Sequence, residues 1–255
     1  MAHDFRARLK RGETLLGTMV TLASAASAEI LAAVGFDWLF IDGEHGPLET
    51  RELNEILQAV GDKVACIVRV PEAAEVPIKR ALDLGAHGII VPQVNTAEQA
   101  ADVVRWSRYP PDGVRGVGLA RAHSYGARFR EYLGRANDEI AVIVQAEHAD
   151  AVDNIDAIAR VHGVDAVLLG PYDLSASLGL MGQIDHPTVV AAIRRVTDAC
   201  RAADMPLGYF GVTAAAVQPF VAQGYTLIVA GVDTLYLGQG AKALLNELRA
   251  APPGA

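Results

Sequence analysis

The stretch Asp37-Trp-Leu-Phe-Ile-Asp-Gly-Glu-His-Gly-Pro47 joins a short apolar run to a cluster of ionisable residues. Its apolar half, Trp-Leu-Phe-Ile, is uninterrupted, which is typical of a β-strand covered on both faces. Its second half places Asp42, Glu44 and His45 among glycines and a proline, which continue neither a strand nor a helix. Three ionisable side chains therefore follow a buried strand directly, where α/β proteins carry their reactive groups.

Seven further apolar runs of this kind occur along the chain, and amphipathic segments separate them. The predicted strands are residues 15–20, 38–41, 64–68, 88–91, 140–144, 166–169, 206–210 and 226–229. The predicted helices are residues 27–34, 50–60, 75–84, 96–108, 149–160, 187–203, 214–223 and 233–248. Eight strand–helix repeats give either an open doubly wound sheet or a closed barrel, and the number favours an α/β fold of the (β/α)8 TIM-barrel type.

No linker or composition break divides the chain, so residues 1–255 are predicted to form a single barrel domain. The least regular stretch, residues 109–137, is rich in glycine and arginine, and we expect it to be a long loop over the barrel mouth. Its segment Gly113-Val-Arg-Gly-Val-Gly118 is as glycine-rich as a phosphate-binding loop. It follows two prolines rather than a strand and opens no clear helix, so it does not predict nucleotide binding.

The composition excludes several classes of protein. Hydrophobic residues make up 51% of the chain and charged residues 20%, which is enough apolar material for a large core and too little charge for disorder. The net charge of −8 argues against a nucleic-acid partner. Two cysteines, a polar N-terminal segment and the lack of a bilayer-length apolar run predict a cytoplasmic protein without a membrane partner.

The carboxyl ends of all strands of a (β/α)8 barrel face one mouth, so the residues that follow each strand become neighbours. These residues are Asp42, Glu44, His45, Arg69, Pro92, Gln93, Gln145, Glu147, the run from Gly170 to Asp173, Phe210 and the run from Gly231 to Asp233. Glu147 and Asp173 are one βα unit apart, which suits a hard cation such as Mg²⁺ or Mn²⁺. The alternative is that Asp173 caps a helical turn over residues 174–177 and that Glu147 is a solvated loop residue.

Two further mouth residues carry alternative interpretations. His45 is either a general base or a structural hydrogen-bonding residue. Arg69 either pairs with a carboxylate or stabilises a developing oxyanion. A Schiff-base mechanism needs a lysine at this mouth. The four lysines, Lys10, Lys63, Lys79 and Lys242, all fall elsewhere in the predicted elements, so that mechanism is not expected.

On these residues the chain resembles the HpcH/HpaI family of metal-dependent 2-keto acid aldolases. The matching segments appear in order and span nearly the whole chain. They are GFDWLFIDGEH (35–45), VRVP (68–71), RYPPDGVRGVG (108–118), VQAE (144–147), GPYDLS (170–175) and VAGVD (229–233). The resemblance implies a class II aldolase that reversibly cleaves a 4-hydroxy-2-keto acid into pyruvate, or hydroxypyruvate, and an aldehyde. It also implies a divalent cation, Mg²⁺, Mn²⁺ or Co²⁺.

The resemblance further assigns roles to residues. It implies that Glu147 and Asp173 hold the metal, that His45 transfers a proton and that Arg69 steadies the transition state. The catalytic residues it implies are His45, Arg69, Asp83 and Asp42, and the substrate-binding residues are Gln145, Tyr172, Gly170, Pro171, Asp173 and Phe210. Phe210 either narrows the pocket near the metal or plugs the barrel.

Asp83 matches a carboxylate that raises the basicity of the histidine in this family. The predicted helix that carries Asp83 runs back toward the far end of the barrel, so a neighbouring subunit would have to bring this side chain to His45. The resemblance accordingly implies a homo-oligomer, a hexamer, in which the C-terminal helix is exchanged between subunits. The alternative is that Asp83 is a polar residue at a helix end.

Two rival functions remain at this stage. The first is a citrate-lyase-β-like lyase of acyl-CoA, for which Arg115, Arg121, Arg128 and Arg130 would contact the nucleotide tail. The second is a non-catalytic protein that binds 2-keto acids. The run from Asp42 to His45 favours the aldolase over the acyl-CoA lyase, and the binding protein predicts 2-keto acid binding without turnover.

Overall fold

Eight parallel strands close into a barrel in chain order, and β8 pairs with β1. The structure is a computed structural model that describes residues 4–250. The strands are β1 (Leu15–Val20), β2 (Trp38–Asp42), β3 (Ala65–Arg69), β4 (Gly88–Val91), β5 (Ala141–Ala146), β6 (Ala166–Leu169), β7 (Leu207–Gly211) and β8 (Leu227–Val232). Every predicted strand overlaps an observed one, which confirms the (β/α)8 barrel. The terminal residues 1–3 and 251–255 of the predicted domain lie outside the described residues.

Side chains of each strand alternate between two apolar cores. In β2, Trp38 and Phe40 point into the barrel, where they join a core of inward-facing side chains. Leu39 and Ile41 point outward and pack in the larger core between the strands and the helices. Because both faces are covered, the strands read as continuous apolar runs rather than as alternating ones.

Helices follow the strands and cover the outside of the barrel. They are α1 (Phe5–Lys10), α2 (Ala25–Val34), α3 (Thr50–Val60), α4 (Glu75–Asp83), α5 (Ala97–Ser107), α6 (Phe129–Glu139), α7 (Ala149–Asp153), α8 (Ile155–Ile158), α9 (Pro171–Ser177), α10 (Pro187–Ala202), α11 (Ala214–Ala222) and α12 (Asp233–Ala250). Seven of the eight predicted helices are confirmed, while the predicted helix over residues 149–160 is divided at Asn154 into α7 and α8. Helices α1, α6 and α9 were not predicted.

The segment from residue 109 to 137 does not lie over the mouth, so that prediction is wrong. Arg121 donates hydrogen bonds to the carbonyls of Leu57 and Leu84, at 2.8 Å each. Leu57 lies in the last turn of α3, and Leu84 directly follows α4, so both carbonyls lie at the end of the barrel opposite the mouth. Arg121, one of the arginines that gave this segment the composition of a loop, instead binds carbonyls that helix C-termini leave unpaired.

The C-terminal helix α12 contacts the barrel only near its start. Asp233 is buried, whereas every later residue of α12 is exposed, including Leu237, Leu244 and Leu248. Leu16, on the outward face of β1, is 48% exposed although it lies in a barrel strand. None of the helices described between residues 4 and 250 is long and apolar enough to cross a bilayer.

Candidate active site

Asp42 and Arg69 occupy paired positions at the ends of β2 and β3. Arg69 donates from Nε to Asp42 Oδ1 at 2.9 Å and from Nη2 to Oδ2 at 2.8 Å, and both side chains are buried. Burial by itself raises the pKa of Asp42, but the hydrogen bonds and the charge of Arg69 outweigh it and hold the pKa of this carboxyl below its ordinary value. The ion pair fixes the planar head of Arg69 at the mouth.

The loop after β2 is built around the same carboxylate. Asp42 Oδ1 accepts hydrogen bonds from the backbone N–H groups of Glu44, at 3.1 Å, and His45, at 3.3 Å. Glu44 Oε2 lies 3.0 Å from Nη1 of Arg69 and 3.7 Å from Nε2 of His45. The His45 side chain is 65% exposed, so its imidazole stands at the rim of the mouth, where it can reach a substrate.

Glu147 lies below the surface of the mouth and is held on both carboxylate oxygens. Its Oε1 accepts from the backbone N–H of Gln93 at 2.8 Å and from the side-chain amide of Gln93 at 3.2 Å. Its Oε2 accepts from Nε2 of Gln145 at 2.6 Å. Glu147 is 2% exposed, so the alternative that it is a solvated loop residue is wrong.

Gly170 leaves the space that Glu147 occupies. A Cβ atom at this position would lie 2.8 Å from Glu147 Oε2, closer than real contacts allow, and 3.3 Å from Gln145 Nε2. Gly170 is also the N-cap of α9, and Asp173 lies in the first turn of that helix. The alternative that Asp173 is the cap of this turn is therefore wrong, and its exposed carboxylate is available at the mouth.

The mouth encloses a cavity of about 290 Å³. The predicted residues that line it are Asp42, His45, Arg69, Gln145, Gly170, Pro171, Tyr172, Asp173 and Phe210. Glu147 is placed next to them by its contacts with Gln145 and Gly170. The structure therefore brings together every predicted site residue except Asp83.

Phe210 lies on the wall of this cavity and also packs against the core inside the barrel. A groove of about 660 Å³ between α10 and α11 has Pro171, Tyr172 and Phe210 in its lining as well. The two interpretations of Phe210 are thus not exclusive, because the ring both closes the barrel and separates the cavity from the groove.

Carboxylates converge at the mouth without a matching number of cations. Burial raises the pKa of Glu147 to about 7; the hydrogen bond from Gln93 lowers it, while the charges of Glu44 and Asp173 raise it further. Burial also raises the pKa of Glu44, although Arg69 and His45 oppose the shift. Repulsion among Glu44, Glu147 and Asp173 is what a bound cation would relieve.

The donor set fits a hard divalent cation. Glu147 and Asp173 offer carboxylate oxygens, which Mg²⁺ and Mn²⁺ prefer, and such ions complete their shell with water and substrate oxygens. Within residues 4–250, no group of three or more His, Cys, Asp or Glu side chains has the arrangement of a metal site. A two-carboxylate site that leaves coordination positions open for a substrate is the arrangement that these residues support.

Asp83 lies at the C-terminal end of α4, away from the mouth of its own chain, as the direction of its helix predicts. Its Oδ1 accepts a 2.7 Å hydrogen bond from Nη2 of Arg115, whose guanidinium lies 4.5 Å from the ring centre of Tyr109. Arg115 and Arg121 are thus engaged by the protein itself, and neither lines the cavity at the mouth. This removes two of the four arginines proposed to contact a CoA tail.

For several residues at the mouth, the sequence predicts the position but not a function. Glu44 and Gln93 follow β2 and β4, so the strand-end rule placed them at the mouth without showing that they contact Arg69 and Glu147. Thr21 directly follows β1 and lines the cavity, so the strand-end rule could have found this residue too. The side chains of Met19, Phe40, Leu168 and Leu169 also line the cavity but look like ordinary core residues in the sequence. The four lysines lie in α1, before β3, in α4 and in α12, so none follows a strand at the mouth, as predicted.

Comparisons with known proteins agree with this geometry. Residues 16–238 match the family described as HpcH/HpaI aldolase/citrate lyase. A 4-hydroxy-2-oxovalerate aldolase of Rhodococcus jostii (strain RHA1) is 44% identical over 244 residues, which cover 95% of this chain and 94% of the relative. A 2-keto-3-deoxy-L-rhamnonate aldolase of Klebsiella pneumoniae is 41% identical over 242 residues, 94% of this chain and 90% of the relative.

Solved structures give the same result. The crystal structure of a protein of the same family from Burkholderia cenocepacia J2315 is 40% identical, with a TM-score of 0.94. The similarity covers 97% of this chain and all of the other one. The whole described barrel, rather than a part of it, therefore has this likeness.

Proposed function

The chain belongs to the HpcH/HpaI aldolase/citrate lyase family, and we propose that it cleaves 4-hydroxy-2-keto acids to pyruvate, or hydroxypyruvate, and an aldehyde with the help of a divalent cation. Relatives that are 41–44% identical over most of the chain are aldolases, so the chain is a carbon–carbon lyase. The observation that carries the proposal is the convergence of three groups at the barrel mouth: the buried carboxylate of Glu147, the exposed carboxylate of Asp173 and the fixed guanidinium of Arg69. We propose that the reaction belongs to the catabolism of aromatic compounds or of sugar acids.

Glu147 and Asp173 would hold the cation, Mg²⁺, Mn²⁺ or Co²⁺. When bound, the cation supplies positive charge to the keto and carboxylate oxygens of a chelating 2-keto acid. The hydrogen bonds from Gln93 and Gln145 fix the Glu147 carboxylate before any ion arrives. Gly170 keeps the approach to that carboxylate open, because a side chain there would collide with Oε2.

Arg69 supplies the second positive charge. Asp42 holds Nε and Nη2, which leaves Nη1 directed at the mouth, where it faces Glu44 at 3.0 Å and Gln145 Oε1 at 3.5 Å. A fixed donor of this kind stabilises negative charge that develops on a substrate oxygen. Asp42 has its catalytic role through Arg69 and through the loop that carries His45.

His45 would take the proton of the substrate hydroxyl. During cleavage the hydroxyl on C4 loses its proton, the bond between C3 and C4 breaks, and the aldehyde leaves. The electron pair of that bond stays on the three-carbon fragment, which takes a proton at C3 to give the 2-keto acid. The imidazole of His45 is 65% exposed and lines the cavity, so it is accessible to the hydroxyl of a substrate bound there.

The remaining residues of the cavity would orient the substrate. Gln145 and the residues from Gly170 to Asp173 line the cavity, and they would contact the 2-keto acid. Phe210 lines both the cavity and the groove between α10 and α11, and it would limit the space available to a substrate.

We also propose that the enzyme is a homo-oligomer, a hexamer in which α12 is exchanged between subunits. The exposed Leu237, Leu244 and Leu248 of α12 and the exposed Leu16 of β1 support a partner that covers them. In such an assembly Asp83 of a neighbouring subunit would reach His45 and raise its basicity. We propose a cytoplasmic location for the enzyme.

Pyruvate release from a 4-hydroxy-2-keto acid tests the proposal. The enzyme is stripped with EDTA and assayed again after addition of Mg²⁺, Mn²⁺ or Co²⁺, with Asp173→Asn and the exposed Asp150→Asn as matched variants. We expect activity to vanish on stripping, to return with metal, and to be lost only in Asp173→Asn. Full activity after complete chelation would contradict the role of Glu147 and Asp173.

A further inference from the structure

Asp233, the first residue of α12, is a buried carboxylate that the mechanism above does not use. It accepts hydrogen bonds from the backbone N–H groups of Thr21, Leu22 and Thr234. It also accepts one from the hydroxyl of Thr21 at 2.8 Å. Asp233 thus links the first two residues after β1 to the first turn of α12.

Thr21 in turn supports the loop that carries His45. Thr21 and His45 both line the cavity at the mouth. The carbonyl oxygen of Thr21 lies 3.1 Å from the position that a Cβ atom on Gly46 would take, and the carbonyl of Asp42 lies 2.7 Å from that position. Gly46 is therefore enclosed between two backbone segments, and the one formed by Thr21 is held by Asp233.

A second side chain of the first turn of α12 fastens the same corner. The hydroxyl of Tyr236 lies 2.8 Å from the hydroxyl of Thr18 in β1 and donates to the carbonyl of Ala230 in β8 at 2.8 Å. Gly231 has a φ of 77°, and a Cβ atom there would lie 2.0 Å from the Tyr236 hydroxyl. Beyond this turn α12 is exposed, so the helix is attached to the barrel at the mouth alone.

We propose that Asp233 is a positioning residue for His45, which acts through Thr21 and Gly46. The proposal rests on the proposed function, in which His45 takes the proton of the substrate hydroxyl. Without the carboxylate, Thr21 and Leu22 lose a shared acceptor, and the wall behind Gly46 moves. The same carboxylate begins α12, so the position of that helix and the position of His45 depend on each other.

The kinetic test compares Asp233→Ala, Asp233→Asn and the parent enzyme. We expect kcat for cleavage to fall about 10- to 100-fold in Asp233→Ala, because small displacements of a catalytic group cost rates of this size. Asp233→Asn keeps one acceptor oxygen and should lose less. The inhibition constant for pyruvate should stay within about twofold of the parent value, since Asp233 does not contact Arg69, Gln145 or Glu147. Thr96→Ala, which removes the N-cap of α5 at the same end of the barrel, is the control and should leave kcat unchanged.

A double-mutant cycle separates positioning from general damage. In a His45→Ala background, Asp233→Ala should cost no further activity, because the group that it positions is already absent. An equal loss in both backgrounds would overturn the proposal, and so would an unchanged kcat in folded Asp233→Ala. If Asp233→Ala does not fold, the same double-mutant cycle is measured with Asp233→Asn.

A second readout does not depend on turnover. The ¹H–¹³C signal of the His45 imidazole, assigned by its absence in His45→Ala, should shift or broaden in both Asp233 variants and stay in place in Thr96→Ala. An unmoved signal would overturn the proposal even in an inactive preparation. An inactive parent with a signal that moves as expected would instead count against the proposed aldolase reaction alone.

Discussion

Glu147→Gln should make the metal-free protein more stable at pH 8, although it removes one of the two proposed metal ligands. In the folded metal-free protein, burial first and the charges of Glu44 and Asp173 next raise the pKa of Glu147 from 4.5 to about 7, against the hydrogen bond from Gln93. A carboxylate that is ionised at pH 8 is thus held in surroundings that disfavour its charge. Glutamine has nearly the same shape, and its Oε1 can still accept from the N–H of Gln93.

The magnitude follows from the two pKa values. Between pH 4.5 and about 7 the folded state binds the proton more tightly than the unfolded chain, so the free energy of unfolding falls as the pH rises through this range. The loss is complete above pH 7 and amounts to about 3 kcal/mol. Glu147→Gln does not undergo this loss. Its free energy of unfolding should therefore exceed that of the parent by up to about 3 kcal/mol at pH 8, reduced by the cost of turning the Gln145 amide. At pH 5 the difference in free energy of unfolding should be much smaller.

Urea unfolding of EDTA-treated protein at pH 5 and pH 8 measures this difference, at one protein concentration because oligomers unfold in a concentration-dependent way. Glu72→Gln, the same change at an exposed position after β3, is the control and should show no gain at either pH. Equal stability of Glu147→Gln and the parent at pH 8, or a gain that grows toward pH 5, would refute the reasoning.

Three further changes test other parts of the site. Arg69→Lys cannot form the paired hydrogen bonds to Asp42, so steady-state kinetics should show kcat reduced about 100-fold, and a rate within threefold of the parent would contradict the role of the fixed guanidinium. Gly170→Ala places a Cβ 2.8 Å from Glu147 Oε2 and should weaken Mn²⁺ binding at least about tenfold in a calorimetric titration, whereas Gly118→Ala, with no atom within 4 Å, should not. His45→Ala should lower kcat for cleavage by about 100- to 10,000-fold with little change in pyruvate inhibition, and an unchanged cleavage rate would remove His45 from the proton transfer.

The barrel was predictable because its strands are buried on both faces. The runs from Trp38 to Ile41 and from Gly88 to Val91 are apolar without interruption, and that pattern set both the number of strands and the residues at their ends. The strand-end rule then places Asp42, Arg69, Gln145 and Asp173 at one mouth from the sequence alone. The pairing of Asp42 with Arg69 follows from the register of β2 and β3, which the sequence does not state.

The segment from residue 109 to 137 was mispredicted for a physical reason. Glycine and arginine are typical of solvated loops, but Arg115 and Arg121 are held by partners distant in sequence. Arg115 pairs with Asp83 and lies against Tyr109, and Arg121 reaches two helix ends. Contacts of this kind depend on which helices the fold brings together, so composition alone could not give them.

The contacts among the carboxylates at the mouth could not be predicted from the sequence. Glu44 follows β2 and was placed at the mouth, yet only the structure gives its 3.0 Å approach to Arg69 and its effect on the pKa of Glu147. The left-handed backbone of Gln93, with a φ of 53°, aims an N–H group at Glu147 and leaves no mark in the residue type.

The central claim is that Glu147 and Asp173 hold one divalent cation at the barrel mouth. A Mn²⁺ titration followed by electron paramagnetic resonance, in the presence of pyruvate, measures it most directly, because free and bound Mn²⁺ give different signals. We expect one Mn²⁺ bound per chain in the parent and in Asp150→Asn, and no comparable binding in Glu147→Gln or Asp173→Asn. Parent-like stoichiometry and affinity in either of the last two variants would contradict it.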